Sequence, residues 1–430
     1  MLLMLSAESY YAGDWTLSEC INYALEHNIS VQQSNLNVRQ REIELSTAEA
    51  RRLPGISASG SQNFSFGRGL TADNTYSNTN TTSTSFSLGG EIPIFQGFDI
   101  NNGIKMSRLN LQSATADLEK AKDDIKVAVA QAYVEVLYSR EILAVAKNQV
   151  QVDSLQYERL KAFFRTGKAS ASDVAAQAAT LAQSALAETQ ALSNAQIALL
   201  DLSQLLELES PEGFNIVTPP ADQLKTSLLL KPEDVYAEAV ENRPAILSEK
   251  LKLDYANTGI SRAKGALLPS LSLSGGIGTN YYTANGTQYA GFGEQLKNNF
   301  SQYVGLSLNI PVFARLATRN SIRSAQVSYD NQKLQLENTK KSLYKEIQQV
   351  YYNALTSQSK YVSSEKAASS ASQSFNLVKE RYENGKANIT EYNESKNRYL
   401  EAESNFLQAR YECLFRTRLL EFYRTGEIDF

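Results

Sequence analysis

Few residues of this 430-residue sequence carry the side chains that enzymes use for catalysis. His27 is the only histidine, which excludes a multi-histidine metal site and leaves a serine or cysteine triad one candidate base. Cys20 and Cys413 lie near opposite ends of the chain and match neither a redox pair nor a zinc-ligand spacing, so we expect two small buried residues. A glycine-rich phosphate loop is also missing. The sequence therefore predicts no catalytic residue, no metal site and no cofactor.

Two carboxylates draw attention by their spacing. Glu391 and Glu394 are three residues apart, which places them on one face of a helix. Taken alone, such a pair indicates a solvated helix face. They follow the second of two similar segments, Thr166-Gly167-Lys168-Ala169 and Asn384-Gly385-Lys386-Ala387. What these residues can do depends on the elements that carry them.

Proline and glycine placement predicts those elements. Residues 94 to 210 and 312 to 430 contain no proline, and the long central part of each tract contains one glycine, Gly167 or Gly385. Because proline breaks helices, each tract is predicted to be two helices that meet at a glycine turn. Apolar residues of the first tract follow the 3- and 4-residue steps of a coiled-coil seam, or the sum of the two. They are Ile125, Val129, Ala132, Val136, Leu143, Ala146 and Val150.

The first of these helices is too long to fold around a core of its own. From about residue 97 to 164, at ~1.5 Å per residue, it would measure roughly 100 Å. It must therefore pack side by side with other helices, and the alanine-rich return helix permits close approach. The helices alone also fit an elongated soluble coiled coil.

The segments between the helices change to a period of two, which is typical of strands with one apolar and one polar side. We predict four strands in two hairpins, at residues 55–95 and 268–313, with exposed loops near 68–82 and 284–299. Four strands cannot close a barrel, since the smallest bacterial barrels use ~8, so closure demands more than one chain, and three chains would give twelve strands. A soluble β-sandwich shows the same alternation and stays open as an alternative.

The chain contains an internal repeat with an offset of 215 to 218 residues. We predict a first repeat over residues 14–206, a linker over 207–232 and a second repeat over 233–430. The matching segments are Ala24-Leu25-Glu26 and Ala239-Val240-Glu241, Leu53-Pro54 and Leu268-Pro269, Ile92-Pro93-Ile94-Phe95 and Ile310-Pro311-Val312-Phe313, and the two glycine turns.

Composition excludes one class of partner. The formal net charge is -4 and no lysine or arginine cluster occurs, so the sequence predicts no nucleic-acid binding. No apolar run approaches the ~18 residues of a membrane-spanning helix, so any crossing must be made by strands. Residues 1 to 7 could be the tail of a signal peptide, although they lack a basic start.

The whole pattern resembles the TolC family of outer-membrane efflux proteins over nearly the full chain. The resemblance rests on the opening Trp15-Thr16-Leu17-Ser18-Glu19-Cys20, the duplicated Leu-Pro and Ile-Pro-[Ile/Val]-Phe segments and the two Gly-Lys-Ala turns. It implies a mostly α-helical homotrimer with a twelve-stranded transmembrane β-barrel, four strands per protomer, and a tunnel of long antiparallel helices. The tunnel would project into the periplasm of a Gram-negative bacterium, and residues 207 to 232 would lie in a collar around it.

The resemblance also implies partners and a function. A trimer of this family exports drugs or other small molecules, and possibly proteins, together with a periplasmic adaptor and an inner-membrane transporter. The adaptor would dock on the hairpin tips at Thr166, Gly167, Lys168 and Ala169 and at Asn384, Gly385, Lys386 and Ala387. The alternative function, from the helices alone, is a soluble periplasmic coiled-coil structural or adaptor protein.

The resemblance to the TolC family also implies roles for individual residues, including the carboxylates of Glu391 and Glu394. Glu391 and Glu394 would form an acidic ring at the periplasmic entrance, where crowding raises some carboxyl pKa values and cations are favoured. The candidates for a latch that holds the entrance shut are Ser172, Asp173, Tyr382 and Lys386. The family's basic latch residue would stand at Ala387, so either Lys386 substitutes or closure differs here.

Overall fold

Long helices make up most of the chain. The computed structural model describes residues 13–70, 74–219, 229–285 and 288–428. In chain order the helices are α1 (Leu17–His27), α2 (Ile29–Ala50), α3 (Asp99–Arg165), α4 (Ala171–Leu205), α5 (Pro232–Asn242), α6 (Pro244–Gly265), α7 (Phe292–Asn298), α8 (Ala317–Glu383) and α9 (Ile389–Thr425). The longest, α3 and α8, have 67 residues each. Each proline-free tract thus holds two helices separated by a glycine turn, as predicted.

Single extended residues separate the shorter helices. Asn28 ends α1 with ψ 129°, and its side-chain amide donates to the Leu205 carbonyl oxygen at 3.1 Å. Arg243 ends α5 with ψ 130° because the residue before a proline, here Pro244, is disfavoured in the helical region. The break at Asn28 has no proline and is held by hydrogen bonds instead.

The strands form one sheet of four and two small pairs among the described residues. They are β1 (Gly13–Trp15), β2 (Gly55–Ser65), β3 (Arg68–Leu70), β4 (Tyr76–Asn78), β5 (Thr81–Gln96), β6 (Phe214–Ile216), β7 (Ser270–Ala284) and β8 (Ser301–Asn309). The main sheet is antiparallel with the order β2-β5-β7-β8, so the two predicted hairpins pair with each other.

Two details of the hairpin prediction were wrong. The second hairpin was expected to reach residue 313, but β8 ends at Asn309, shortly before Pro311, which has no N–H for a strand ladder. The segments expected to be loops contain the β3–β4 pair and the helix α7. Residues 71–73 and 286–287 of those segments lie outside the described part of the chain.

The register of the main sheet separates apolar from polar side chains. On one face, paired positions across the four strands carry mostly apolar side chains, for example Ala58, Leu88, Ile277, Leu273 and Leu306. The other face is rich in serine, and Ser59 and Ser61 lie 2.7 Å, hydroxyl to hydroxyl, from Ser87 and Ser85. The predicted two-sided strands therefore occur as a two-sided sheet.

The chain divides into two compact units, each with segments from both sequence repeats. The sheet unit comprises residues 38–114 and 249–336, and the helical unit comprises the described residues within 1–37, 115–248 and 337–430. The core of the helical unit includes the fully buried Tyr133, Leu137 and Leu202. Cys20 and Cys413 are buried free thiols, as expected.

Part of the predicted linker packs on that core. β6 pairs in parallel with β1, and Trp15 makes edge contacts with the rings of Tyr23 and Phe214. The Tyr133 hydroxyl donates to the Val217 carbonyl oxygen at 2.6 Å. The linker's residues 220–228 lie outside the described part of the chain.

Candidate functional site

The first helical turn joins α3 to α4 and is closed by its own side chains. Gly167 has φ +75°, a left-handed conformation that strains any residue with a Cβ. Ser170 caps α4: its hydroxyl accepts from the Asp173 amide at 3.1 Å, and the Asp173 carboxylate accepts from the Ser170 hydroxyl at 2.7 Å. These hydrogen bonds to Ser170 lower the pKa of Asp173. The carboxylate of Asp173 thus serves the cap of its own helix.

The second turn joins α8 to α9 and has the same backbone shape with different side chains. Gly385 has φ +71°, and Asn388 caps α9 by accepting from the Glu391 amide at 2.8 Å. The Arg381 guanidinium lies 3.5 Å from the Glu391 carboxylate and donates to the Lys386 carbonyl oxygen at 3.2 Å. This turn is therefore held by an arginine and a glutamate as well as by its cap.

The two carboxylates expected to act together lie on one exposed face of α9. Glu391 and Glu394 are both exposed, and the same face continues along the helix with polar residues at alternating three- and four-residue steps. The exposed members of this polar stripe are Glu391, Glu394, Arg398, Glu401, Asn405 and Gln408. Such a stripe is what a helix presents to water rather than to a core.

The latch candidates take different positions. The Tyr382 hydroxyl accepts from the Gln156 side-chain amide at 2.7 Å, and burial raises the pKa of Tyr382. Ser172 and the Lys386 side chain are exposed. Tyr382 thus ties the second helical hairpin (α8 and α9) to the first helical hairpin (α3 and α4) through Gln156, a residue that the sequence prediction did not include.

A buried ion pair close to the two turns was missed from the sequence. The Lys396 ammonium lies 2.6 Å from Asp153 Oδ1, and the two side chains are only 3% and 0% exposed. The other carboxylate oxygen, Oδ2, accepts from the Gln149 amide at 2.7 Å and from the Ser184 hydroxyl. One signal in the sequence was available: Lys396 lies four residues after Tyr392, on the face that turns away from the glutamates.

The described part of the chain offers residues neither for a metal site nor for a membrane-spanning helix. No group of three or more histidine, cysteine, aspartate or glutamate side chains is placed to hold a metal ion. Among the same residues, no helix combines the length and the apolar character that crossing a membrane requires.

Comparison with known sequences decides the family. The profile of the family described as "Outer membrane efflux protein" matches residues 20–207 and 235–420, most of the chain in two blocks. The chain belongs to the outer membrane efflux protein family. This family consists of channels rather than enzymes.

Relatives within the outer membrane efflux proteins are distant but span most of the chain. Outer membrane protein TolC of Escherichia coli is 26% identical over 366 residues, which are 80% of this chain and 71% of TolC. Outer membrane protein OprJ of Pseudomonas aeruginosa is 24% identical over 387 residues, which are 88% of this chain and 77% of OprJ. The suspected resemblance to the TolC family is therefore confirmed.

Solved structures share the fold of this outer membrane efflux protein. A CusC structure superimposes with a TM-score of 0.81 at 16% identity, covering 99% of this chain and 96% of that chain. The Campylobacter jejuni CmeC outer membrane channel gives 0.79 at 18% identity, covering 100% and 91%. The helices of the present chain thus suit an α-barrel tunnel.

Membership of this family indicates where in the cell the protein is located. The chain is an outer-membrane efflux channel of a Gram-negative bacterium, and its long helices belong to the periplasmic tunnel. The exposed polar stripe on α9 is consistent with a surface that lines water.

Proposed function

We propose that three copies of the chain assemble into one export channel. Each protomer contributes four strands to a twelve-stranded β-barrel in the outer membrane and its long helices to a shared tunnel. The cargo consists of drugs or other small molecules, with proteins as a further class, and passes from an inner-membrane transporter through a periplasmic adaptor.

The observation that carries this proposal is the open, two-sided sheet. β2 and β8 each pair with only one neighbour in the main sheet, which leaves two edges open. Its apolar side chains are exposed in the single chain, for example Ile56 at 72%, Val304 at 82% and Leu306 at 69%. In lipid each unpaired backbone group costs several kcal/mol, so the edges require other strands and the apolar face requires hydrocarbon.

Pairing β8 of one protomer with β2 of the next satisfies both requirements. The barrel that results places the apolar face outside and the serine-rich face toward water. A cyclic arrangement closes without free edges, and three copies bring the strand number to twelve. The same symmetry gathers α9 of each protomer around one axis.

At the tunnel entrance, Glu391 and Glu394 of three protomers form a ring of carboxylates that binds divalent cations and lowers conductance. The adaptor docks on the two glycine turns. The latch includes Ser172, Asp173, Tyr382 and Lys386, and Arg381 supplies the basic group that Ala387 does not. The 3.5 Å contact between Arg381 and Glu391 supports this last assignment.

The test is the mass of the purified protein in detergent, measured by light scattering and corrected for bound detergent. We expect three protomers, together with a band that migrates differently in SDS before and after boiling. Extraction without detergent serves as the control and should leave the protein in the membrane fraction. A detergent-free monomer or dimer would overturn the shared barrel.

A further inference from the structure

The most unusual group in the helical unit is the buried lysine of α9. Lys396 is the only buried lysine among the described residues. Its partner Asp153 belongs to α3, so the pair joins the second helical hairpin to the first. The carboxylate is fully satisfied, since Gln149 and Ser184 also donate to it.

Stability alone does not explain why a charge pair stands here. Moving two charges out of water is unfavourable, and apolar residues of similar volume often stabilise a protein as well or better. A buried ion pair depends on the distance and direction between its two groups, and polar residues in helix seams can fix the register of the helices in this way. The pair is therefore suited to fixing one orientation of α9.

The other contacts of the first half of α9 are mainly contacts between aromatic rings, together with exposed polar contacts at its start. Between its start and Leu407, the fully buried side chains are Tyr392 and Lys396. Tyr392 rests on the rings of Tyr382 and Phe375, and Tyr399 stacks on Phe375. Among the described residues, the ion pair with Asp153 is the one charge pair of this half of α9 whose two side chains are both buried.

The helical geometry connects the orientation of α9 to the carboxylates. At about 100° per residue, Lys396 lies roughly 170° from the mean direction of Glu391 and Glu394. Holding Lys396 against Asp153 therefore turns the two glutamates away from the first helical hairpin. Both are exposed in the structure, in agreement with this direction.

The sequence repeat supports a role of this ion pair that is specific to the second helical hairpin. With the offset of 218 residues, Lys396 corresponds to Ala178 and Asp153 corresponds to Ala371. The reciprocal pair of helix positions is thus alanine with alanine. The charge pair is present only where α9 carries the two glutamates.

We propose that Asp153 and Lys396 are positioning residues that set the rotation of α9 and thereby aim Glu391 and Glu394 into the tunnel entrance. This inference rests on the proposed function, which makes the glutamates an entrance ring. It adds a specific cause for the direction in which they point.

Two measurements test the orientation and the ring separately. The first is the reaction rate of a cationic thiosulfonate reagent with Glu394→Cys; burial raises the thiol pKa values of Cys20 and Cys413, so the native cysteines react slowly. The second is the divalent-cation concentration that half-blocks conductance in planar bilayers. Both are measured on the assembled protein.

We expect Asp153→Asn and Lys396→Met each to slow labelling and to raise the half-blocking concentration about fivefold, the change that ~1 kcal/mol of lost attraction produces. The exchange Asp153→Lys with Lys396→Asp should return both values toward wild type. The neutral pair Asp153→Asn with Lys396→Met should fold well, because it leaves no unpaired buried charge. Its labelling rate and half-blocking concentration should nevertheless stay altered. If the ion pair had only a structural role, this variant would return both values to those of the wild type.

The matched control is a second charge pair that holds the other end of α9. Arg243 and Asp123 lie 2.9 Å apart with side chains 11% and 17% exposed, and Arg243 also donates to the Phe422 carbonyl oxygen. Asp123→Asn should lower thermal stability and leave labelling and block unchanged.

Each outcome has one meaning. Labelling and block that stay at wild-type values in the neutral pair overturn the positioning role. Slower labelling in a channel whose wild type shows no cation block supports the positioning role and overturns the entrance ring. If the single variants fail to assemble, the neutral and exchanged pairs decide the matter by the same two measurements.

Discussion

The two helical turns have the same backbone conformation and different side chains. Both have a glycine at positive φ, +75° at Gly167 and +71° at Gly385, followed three residues later by a capping side chain. No atom lies within 4 Å of a Cβ added at either glycine, so the backbone conformation alone favours glycine there.

The side chains around the turns differ at equivalent positions. Before the first glycine stand Phe163 and Phe164, which are 37% and 49% exposed, and before the second stand Arg381 and Tyr382. Nine residues after the glycine, the first turn has alanine and the second has Glu394. The two turns thus share a backbone conformation, while the side chains around them differ.

The largest expected effect comes from removing the two carboxylates that follow the second turn. Glu391→Gln with Glu394→Gln should raise the half-blocking concentration of divalent cations in planar bilayers at least ~10-fold, because a ring of carboxylates attracts cations far more strongly than amides do. The matched control is Glu380→Gln with Glu383→Gln, which removes the same charge from exposed positions of α8 and should change block less than twofold. Unchanged block in the α9 variant would remove the ring from the mechanism.

Much of this comparison could be predicted from the sequence, because its signals are local. Proline-free tracts interrupted by one glycine predicted all four long helices and both turns, and the spacing of Glu391 and Glu394 predicted a shared exposed face. The alternation of serine and apolar residues predicted the two faces of the sheet.

The missed features depend on contacts between residues far apart in the chain. Asp153 and Lys396 are 243 residues apart, and a lysine in a helix is usually a solvated residue. The contact between Arg381 and Glu391 likewise joins residues on opposite sides of the turn. The short elements inside the predicted loops, β3, β4 and α7, have too few residues to show a period.

A smaller effect tests whether the two backbones are equivalent. Gly167→Ala and Gly385→Ala should each lower the free energy of unfolding by about 1 kcal/mol, because a residue with a Cβ is strained in the left-handed region. Thermal melting in detergent would measure both. Asparagine at either position should be tolerated better than alanine. A much larger loss at one glycine would show that its turn makes a contact that the other lacks.

The smallest effect separates the two caps by pH. Hydrogen bonds from Ser170 lower the pKa of Asp173, so its contribution to the α4 cap is present above the usual aspartate pKa of ~3.9 and is lost as pH falls through the lowered value. The α9 cap uses the Asn388 amide oxygen, which does not titrate. In the Glu391→Gln variant, whose first turn of α9 carries no carboxylate, amide hydrogen exchange corrected for the intrinsic effect of pH should therefore speed up at the start of α4 and not at the start of α9 between pH 5 and about 3. Equal loss of protection at both starts would mean that Asp173 does not control its cap and that both turns weaken through some shared contact.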